Sequence, residues 1–396
     1  MDDSLDSMSE TSLELFPGEP VLAEPFVRQV DTGSVTHETP EHFHKSTGRW
    51  IDGVILRMRS VLGFHPTTAV NATLSRRLRN LSRRGQDAPS DIALYISYTR
   101  PVAAALNRRR AQAVEAYTPT LPPLSGIDVD IVDIVDGLER DGIFVTTLEA
   151  LGVAHSADML AAAQHVADDF APRARALTRN GSMFNIVPSD AIVNRPGIIA
   201  WGLQSRLLNI VEAYIGLPAA YDGPHIAYTV ADGREVGTRR WHRDREDHRM
   251  VKIAIYCNDV DAGGGPFEMI RTAGEDDPAY PYASLSDEEL ALRYGDRTVW
   301  DILSCEGRTG TVIFADTARN YHRGRPAWSK DRKAIFFSYF ARRPRHPFCC
   351  DRSGLSPAQM ANFAMNLPGI TPRQRDSIFW RRALPLIARI IPPARM

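Results

Sequence analysis

Short apolar segments in the second half of the chain restrict its fold more than any other feature. The segments HIAYTVAD, VKIAIYCNDV, GTVIFADT and RKAIFFSYFARR are rich in β-branched or aromatic residues. Glycine-containing turns such as ADG, AGGGP, EGRTG and HRGRP separate them. Segments of this length, composition and spacing are typical of strands joined by turns. The second half is therefore predicted to form a β-sandwich or barrel.

The first half has helical patterns instead. Residues 46–118 place apolar side chains near a 3.6-residue period, and two more amphipathic helices are predicted, near residues 157–177 and in the run RLLNIVEAYIG, which ends at Gly216. Helices followed by short strands indicate an α+β fold in which the helices pack outside the sheets.

The chain divides into four predicted parts. Residues 1–45 are acidic and poorly periodic, which predicts a disordered or loosely docked tail. Residues 46–125 form a helical extension that ends in the proline-rich linker TPTLPPLSG. Residues 126–347 form the main, strand-rich domain, and residues 348–396 form a C-terminal helical extension.

Charge and cysteine content exclude several classes of protein. The formal net charge is −1, and no aromatic residues interleave with the arginine clusters, so no nucleic-acid partner is expected. The 4 cysteines form no CxxC pair, which argues against a disulfide scaffold or a structural zinc site and favours a reduced, cytoplasmic compartment.

No membrane segment is expected from the sequence. The N-terminus lacks an apolar signal region, and no apolar run approaches the roughly 20 residues that a membrane span needs. The basic, apolar C-terminus resembles an interfacial helix, but Pro385, Pro392 and Pro393 interrupt it. A short packed helix is predicted there, rather than peripheral contact with a membrane.

A candidate metal site lies in the segment RRWHRDRED. Residues i and i+2 of an extended segment point to the same side, so His242 and Asp244 can reach a single ion. His322, shortly after the segment GTVIFADT, is the best candidate for a third ligand. Two histidines and one carboxylate with open positions are the ligand set of non-haem iron(II) oxygenases.

An arginine that could bind a carboxylate follows His322 in the sequence. Arg332 opens the segment RKAIFFSYF and can form a bidentate pair with a carboxylate. A dicarboxylate that chelates iron at one end needs such an anchor at the other.

These residues carry a resemblance to a known family. WHRDREDHRMVKIAIYCNDVDAGGGPFEMI followed by GTVIFADTARNYHRGRP resembles the phytanoyl-CoA dioxygenase family, from roughly residue 137 to 345. The resemblance implies a double-stranded β-helix (jelly roll) with flanking helices, and an iron(II)- and 2-oxoglutarate-dependent oxygenase that consumes O2. It implies iron ligands at His242, Asp244 and His322, and a 2-oxoglutarate anchor at Arg332. The presence of Asp244 favours hydroxylation over halogenation.

The chain departs from the family at one position near the anchor. Many members have Ser or Thr two residues after the distal histidine, where this chain has Gly324. Arg325 is a rival for the anchoring role, and the family's spacing favours Arg332.

Further pocket residues are predicted around this set. Tyr228 lies where the family often has a cosubstrate contact. His248, Lys252 and Tyr256 are candidates for the substrate pocket, because Lys252 and Tyr256 share a strand face with Ala254. The insertion at residues 271–300 contains a capping box at Ser286 and Glu289 and is either a lid or a surface excursion.

Other functions remain open at this point. A zinc hydrolase could use the same ligands but would have no use for Arg332. The fold could also serve as a binding module without activity. For the leading hydroxylase hypothesis a small-molecule substrate is expected, such as a lipid, an acyl compound or a natural product, and the arginine-rich N-terminal region favours an anionic one.

Overall fold

A computed structural model of the protein describes residues 27–29, 88–121, 129–271, 284–295, 301–351 and 353–393. These residues combine helices with two antiparallel sheets. In chain order, the strands are β1 Val27–Gln29, β2 Ile143–Thr147, β3 Ala219–Thr229, β4 Val251–Tyr256, β5 Phe267–Ile270, β6 Ile302–Cys305, β7 Thr311–Ala315, β8 His322–Gly324 and β9 Arg332–Ala341.

The helices lie mainly between β1 and β3 and after β9 in the chain. They are α1 Ala88–Ser97, α2 Arg100–Tyr117, α3 Val129–Asp141, α4 Leu148–Leu151, α5 Ser156–Arg179, α6 Ser189–Val193, α7 Pro196–Trp201, α8 Ser205–Ile215, α9 Asp287–Tyr294, α10 Pro357–Asn366, α11 Pro372–Ile378 and α12 Leu386–Ile390. No helix within these described ranges is long and apolar enough to cross a membrane.

The two sheets have different sizes and partners. The larger sheet has the strand order β2-β7-β4-β9-β3, and the smaller sheet has the order β1-β6-β5-β8. Every pairing within them is antiparallel. The mixed α+β class predicted from the sequence is confirmed.

Alternation along the strands separates two cores. On β4, the side chains of Val251, Ile253 and Ile255 join the core that the helices cover, whereas Ala254 and Tyr256 join a second core with residues of the smaller sheet. Successive strand residues point to opposite faces, so one face of the larger sheet meets the helices and the other faces the smaller sheet. We call the second one the inner face.

Most predicted elements lie where the sequence patterns put them. The strands VKIAIYCNDV, GTVIFADT and RKAIFFSYFARR correspond to β4, β7 and β9, and the helix predicted near residues 157–177 is α5. Helix α8 ends at Gly216, whose φ of 70° is the left-handed conformation that glycine adopts at helix ends. The C-terminal segment forms short helices and buries Ile378, Trp380 and Leu384, as predicted for a packed segment.

Some predictions fall partly outside the described residues. The extension predicted at residues 46–125 is helical in α1 and α2, and its earlier part lies outside. Within the tail predicted at residues 1–45, β1 pairs with β6 at the edge of the smaller sheet. In the insertion predicted at residues 271–300, residues 284–295 are described and contain α9 with its predicted capping box.

Candidate metal centre

The two candidate histidine ligands lie opposite each other across the strands. His242 and His322 form an isolated antiparallel bridge, in which each backbone N–H donates to the other's carbonyl oxygen at 3.0 Å. Their ring centroids are 4.2 Å apart. His322 begins β8, which pairs with β5 through Met269, so the smaller sheet fixes its direction.

Asp244 completes the cluster from the same segment as His242. Its backbone N–H donates to the carbonyl oxygen of Thr317 at 2.7 Å, directly after β7. The ligand atoms of His242, Asp244 and His322 all lie within 4.8 Å of one another. It is the candidate metal-binding group found among the described residues, and it matches the set predicted from the sequence.

Hydrogen bonds on the far side of each ring fix which nitrogen faces the cluster. The Nδ1 of His242 contacts the carbonyl oxygen of Arg240 at 2.9 Å, and the Nδ1 of His322 contacts that of Asn320 at 3.2 Å. A carbonyl oxygen only accepts, so both Nδ1 atoms carry the proton. The unprotonated Nε2 atoms then face the cluster, which is the usual arrangement of metal-binding histidines.

Burial keeps one of these rings neutral. Burial lowers the pKa of His322 well below its ordinary value of 6.5, and the neighbouring His242 lowers it further. Its Nε2 lies 3.8 Å from Oδ2 of Asp244. A neutral imidazole is the form that binds a metal ion, so the site is prepared for a cation at neutral pH.

A side-chain cation already contacts the buried carboxylate. Lys252 extends from the inner face of β4, and its Nζ pairs with Oδ2 of Asp244. The Asp244 side chain is fully buried, and a buried carboxylate needs a cation or strong donors beside it. Lys252, which was predicted for the substrate pocket, is therefore a direct neighbour of the candidate metal ligands.

Arg332, the first residue of β9, lies on the same inner face. Its side chain contacts β8 at Gly324, two residues after His322. A Cβ built on Gly324 would lie 2.4 Å from the Arg332 guanidinium, so this guanidinium rests against the bare backbone of β8. It donates to the carbonyl oxygen of Gly265 and to Oγ1 of Thr229. Burial lowers the pKa of Arg332 from its ordinary value.

The contacts of Arg332 and its rival Arg325 differ in charge. Arg325 lies 3.6 Å from Oε1 of Glu268 and stacks over Trp328. Arg332 is 9% exposed, and within the described part of the chain no carboxylate pairs with it. A buried guanidinium with only neutral acceptors is ready to bind an anion.

Two other predicted residues form hydrogen bonds outside the cluster. Tyr228 points to the helix-covered face, where its hydroxyl donates to Asp331 at 2.8 Å, and burial, with that bond, raises its pKa to about 12. Tyr256 lies on the inner face, but its hydroxyl donates to the carbonyl oxygen of Cys305 and accepts from the Phe267 N–H. These contacts join the two sheets.

His248 occupies a separate polar cluster. Its pKa is lowered to about 3 by burial and by the nearby Arg345 and Arg110. Asp247, beside it, accepts from its backbone N–H and pairs with Arg110 of α2 at 3.6 Å. The structure therefore places His248 where the N-terminal helices meet the sheet, and not with the metal candidates.

One residue near the centre was missed from the sequence. Oδ1 of Asp287, at the start of α9, accepts hydrogen bonds from the Trp241 indole and from the Arg323 guanidinium. Trp241 directly precedes His242, and Arg323 directly follows His322. Arg323 also stacks over Trp241 at 4.4 Å. The only sequence signal was the capping box that marks the start of α9, and it gave no hint of this contact.

The described part of the insertion packs outside the smaller sheet. Leu285 and Leu290 join a cluster with Ile270, Ile302 and Trp241, and Leu285 exchanges backbone hydrogen bonds with Trp241. This part of the insertion packs behind the candidate metal ligands and supports the segments that carry them. The rest of the predicted lid lies outside the described residues.

Comparisons with known proteins give partial structural similarity. No family model matches the chain, and no curated protein matches it. Among solved structures, it is similar to SnoN, a non-heme alpha ketoglutarate dependent epimerase from nogalamycin biosynthesis (13% identity, 54% of this chain and 83% of that chain, TM-score 0.37). It is also similar to EctD from S. alaskensis with bound Fe (20%, 52% and 75%, TM-score 0.37).

A third similar structure is SnoK, a non-heme alpha ketoglutarate dependent carbocyclase from nogalamycin biosynthesis (15% identity, 53% of this chain and 83% of that chain, TM-score 0.38). Each similarity covers little more than half of this chain.

Proposed function

We propose that the protein is an iron(II)- and 2-oxoglutarate-dependent oxygenase that hydroxylates a small molecule. The observation that carries this proposal is the pairing of two features between the facing sheets. A His-Asp-His group, in which Asp244 and His322 are buried and His242 is partly exposed, lies beside a buried arginine that has no carboxylate partner among the described residues. A metal ion alone does not need such an arginine. A dicarboxylate that chelates the metal needs the metal site for one end and the arginine for the other.

The residues of the site fit a divalent cation. His242 and His322 each present an Nε2 lone pair, and Asp244 adds a buried carboxylate that already attracts a cation, the ammonium of Lys252. Mixed imidazole and carboxylate ligands suit iron(II), and three of them leave positions open for other ligands. When bound, iron(II) would supply the site at which 2-oxoglutarate and dioxygen react.

The chain's own residues would bind and orient the cosubstrate. Arg332 would hold the distal carboxylate through its two terminal nitrogens, and Gly324 gives that guanidinium room against the backbone. By strand register, Ala254 and Ala334 lie on the inner face between Arg332 and Lys252, opposite Phe336 and Tyr256. The two small side chains would leave space for a flat dicarboxylate.

The backbone around the site would hold the ligands in position. The bridge between His242 and His322 and the hydrogen bond from Asp244 to Thr317 fix three separate segments relative to one another. Fixed ligand geometry lowers the cost of ordering the site when the ion binds. Burial of Asp244 and His322 also keeps bulk water away from the reacting groups.

We extend the proposal to the fold family and the domains. The two facing sheets of residues 126–347 would be a double-stranded β-helix of the phytanoyl-CoA dioxygenase type. Residues 46–125 and 348–396 would be helical extensions, and residues 1–45 a tail. The arrangement of β4, β7 and β9 between edge strands, facing the smaller sheet, supports this assignment.

Metal-dependent turnover of 2-oxoglutarate tests the function. The protein is loaded with iron(II) or zinc(II), and the formation of succinate from 2-oxoglutarate is measured with and without dioxygen. We expect slow, oxygen-dependent succinate formation with iron only, and at least a tenfold higher KM for 2-oxoglutarate in Arg332→Gln. Zinc-dependent hydrolysis of model esters without any succinate would favour a zinc hydrolase instead.

A further inference from the structure

We propose that one strip of the inner face binds a flat aromatic or conjugated ring of the substrate. We call this strip, formed by Ile186, Ala227, His225 and Phe336, the ring wall. The inference deepens the proposed function, because it names the substrate class of the same site, and it rests on that function only for the chemistry that follows binding.

Strand register places the ring wall on the inner face. In the pairing of β3 with β9, His225 lies opposite Phe336, and Ala227 lies opposite Ala334. Ala334 belongs to the core between the sheets, and Phe336 packs against it, whereas Ile226 and Ile335 belong to the helix-covered core. Side chains directly opposite each other in an antiparallel pair lie on the same face, so His225 and Ala227 also point inward.

The ring wall is open to solvent, unlike most of the inner face. His225, Ala227 and Phe336 are partly exposed, although they lie in the interior of strands. Ile186, which forms an isolated bridge with Ala227 at the edge of β3, is 41% exposed. Partly exposed apolar side chains on an inward face mark a surface from which a ligand can exclude water.

Two rings of the wall are already stacked in parallel. The centroids of His225 and Phe336 are 4.9 Å apart, and their planes differ by 9°. Such a pair offers a flat, polarisable surface on which a third ring can continue the stack. A saturated ring of the same size presents axial hydrogens and stacks less well.

The ring wall leads to the metal candidates. On β9, Ser338 is the next inner-face residue after Phe336, and it lies opposite Lys252, whose ammonium contacts Asp244. Neighbouring positions on one strand face are about 7 Å apart. A ring resting on Phe336 would therefore place its near edge beside the candidate metal ligands.

An apolar rim continues the wall outward. Phe184 lies two residues before Ile186 and is 41% exposed, and a Cβ built on Gly237 would lie 2.6 Å from its ring. Gly237 belongs to the loop that leads to Trp241 and His242. The rim thus joins the edge of β3 to the segment that carries two of the ligand candidates, and it would guide an apolar ring toward them.

A matched pair of neutral probes tests the ring wall without using the metal. Binding of 2-naphthol and of its saturated counterpart decahydro-2-naphthol to the metal-free full chain is measured by ligand-detected nuclear magnetic resonance and calorimetry. We expect 2-naphthol to bind about fivefold more tightly, although the saturated alcohol is the more hydrophobic. Phe336→Leu should remove this preference, whereas Met365→Ala, at an exposed site on α10, should keep it.

The outcomes separate the ring wall from the proposed function. Equal binding of the two probes, or a preference that survives in Phe336→Leu, overturns the ring wall. Thermal unfolding that matches the wild type shows that Phe336→Leu is folded, and His225→Leu gives a second, independent test. A preference for 2-naphthol in a protein that makes no succinate with iron(II) would leave the ring wall standing and remove the oxygenase.

Discussion

His242 and His322 exchange backbone hydrogen bonds of 3.0 Å in both directions, so the two imidazoles are fixed to one another by the main chain. Trp241, directly before His242, and Arg323, directly after His322, both donate hydrogen bonds to Oδ1 of Asp287. Geometry at the candidate metal centre therefore depends on a segment that contributes no ligand to it. This dependence gives the first prediction.

Asp287→Ala should weaken metal binding. The substitution removes the acceptor shared by the Trp241 indole and the Arg323 guanidinium, and outer partners of metal sites typically contribute tenfold or more to affinity. We expect the Kd for iron(II) or cobalt(II) to rise about tenfold, with a changed cobalt absorption spectrum. Leu292→Ala, on the same helix at a side chain that is 90% exposed, is the matched control. An unchanged spectrum and Kd in Asp287→Ala would show that α9 has no influence on the ligands.

Gly324→Ser should weaken 2-oxoglutarate binding while leaving metal binding intact. A Cβ at this position would lie 2.4 Å from the terminal nitrogen of Arg332, so the guanidinium must move. We expect roughly a tenfold loss in cosubstrate affinity, because the displaced guanidinium loses its bidentate geometry. Gly197→Ser is the control, since a Cβ there meets nothing within 4 Å. Tighter binding in Gly324→Ser would mean that a hydroxyl at this position assists the anchor.

Tyr256→Phe should lower stability without changing cosubstrate binding. Its hydroxyl donates to the carbonyl oxygen of Cys305 at 2.7 Å and accepts from the Phe267 N–H at 2.9 Å, and the substitution removes the partner that these two buried backbone groups share. We expect a loss of about 2 kcal/mol in the free energy of unfolding, measured by urea denaturation. A raised KM at unchanged stability would instead return Tyr256 to the substrate pocket that the sequence suggested.

The sequence predicted the candidate ligands but not the orientation of the residues around them. The HxD spacing and the strands around His322 and Arg332 are local patterns, and the structure brings these residues together. Alternation alone does not say which face of a strand is the inner one. Tyr228 was predicted near the cosubstrate because of its place in the family resemblance, whereas its register opposite Lys333 turns it toward the helices.

Part of the fold was not predicted from the sequence because its backbone is irregular. Strand β3 begins at Ala219, well before the apolar run that predicted it, because the segment Asp222-Gly223-Pro224 has the composition of a turn. The structure absorbs it as a bulge with Gly223 at φ 103°. Strand β6 was missed because only four residues, inside a long insertion, contribute to it. Contacts such as that of Asp287 with Arg323 are long-range and leave no periodic signal.

His248 should make the protein less stable in mild acid. Its folded-state pKa is lowered to about 3 from an ordinary 6.5. Between pH 6.5 and pH 3 the imidazole is therefore protonated in the unfolded chain but neutral in the folded chain. Stability from this residue is thus complete above pH 6.5 and is lost as the pH falls toward 3. We expect a loss of about 2 kcal/mol between pH 7.5 and pH 5.

Urea unfolding of the wild type and of His248→Gln at both pH values measures this contribution. The variant should lose less stability on acidification than the wild type, and the difference between them isolates His248 from other titrating groups. Identical pH dependence in the two proteins would show that His248 is solvated in the folded state.

The central claim is that one site between the two sheets holds both iron(II) and 2-oxoglutarate, and the visible charge-transfer band of their chelate tests it most directly. Anaerobic protein is loaded with iron(II) and titrated with 2-oxoglutarate, for the wild type and His322→Ala, with circular dichroism to show that both are folded. The account predicts a weak visible band that saturates at one 2-oxoglutarate per chain in the wild type and is absent in His322→Ala. A folded, iron-loaded wild type that gives no band would contradict it.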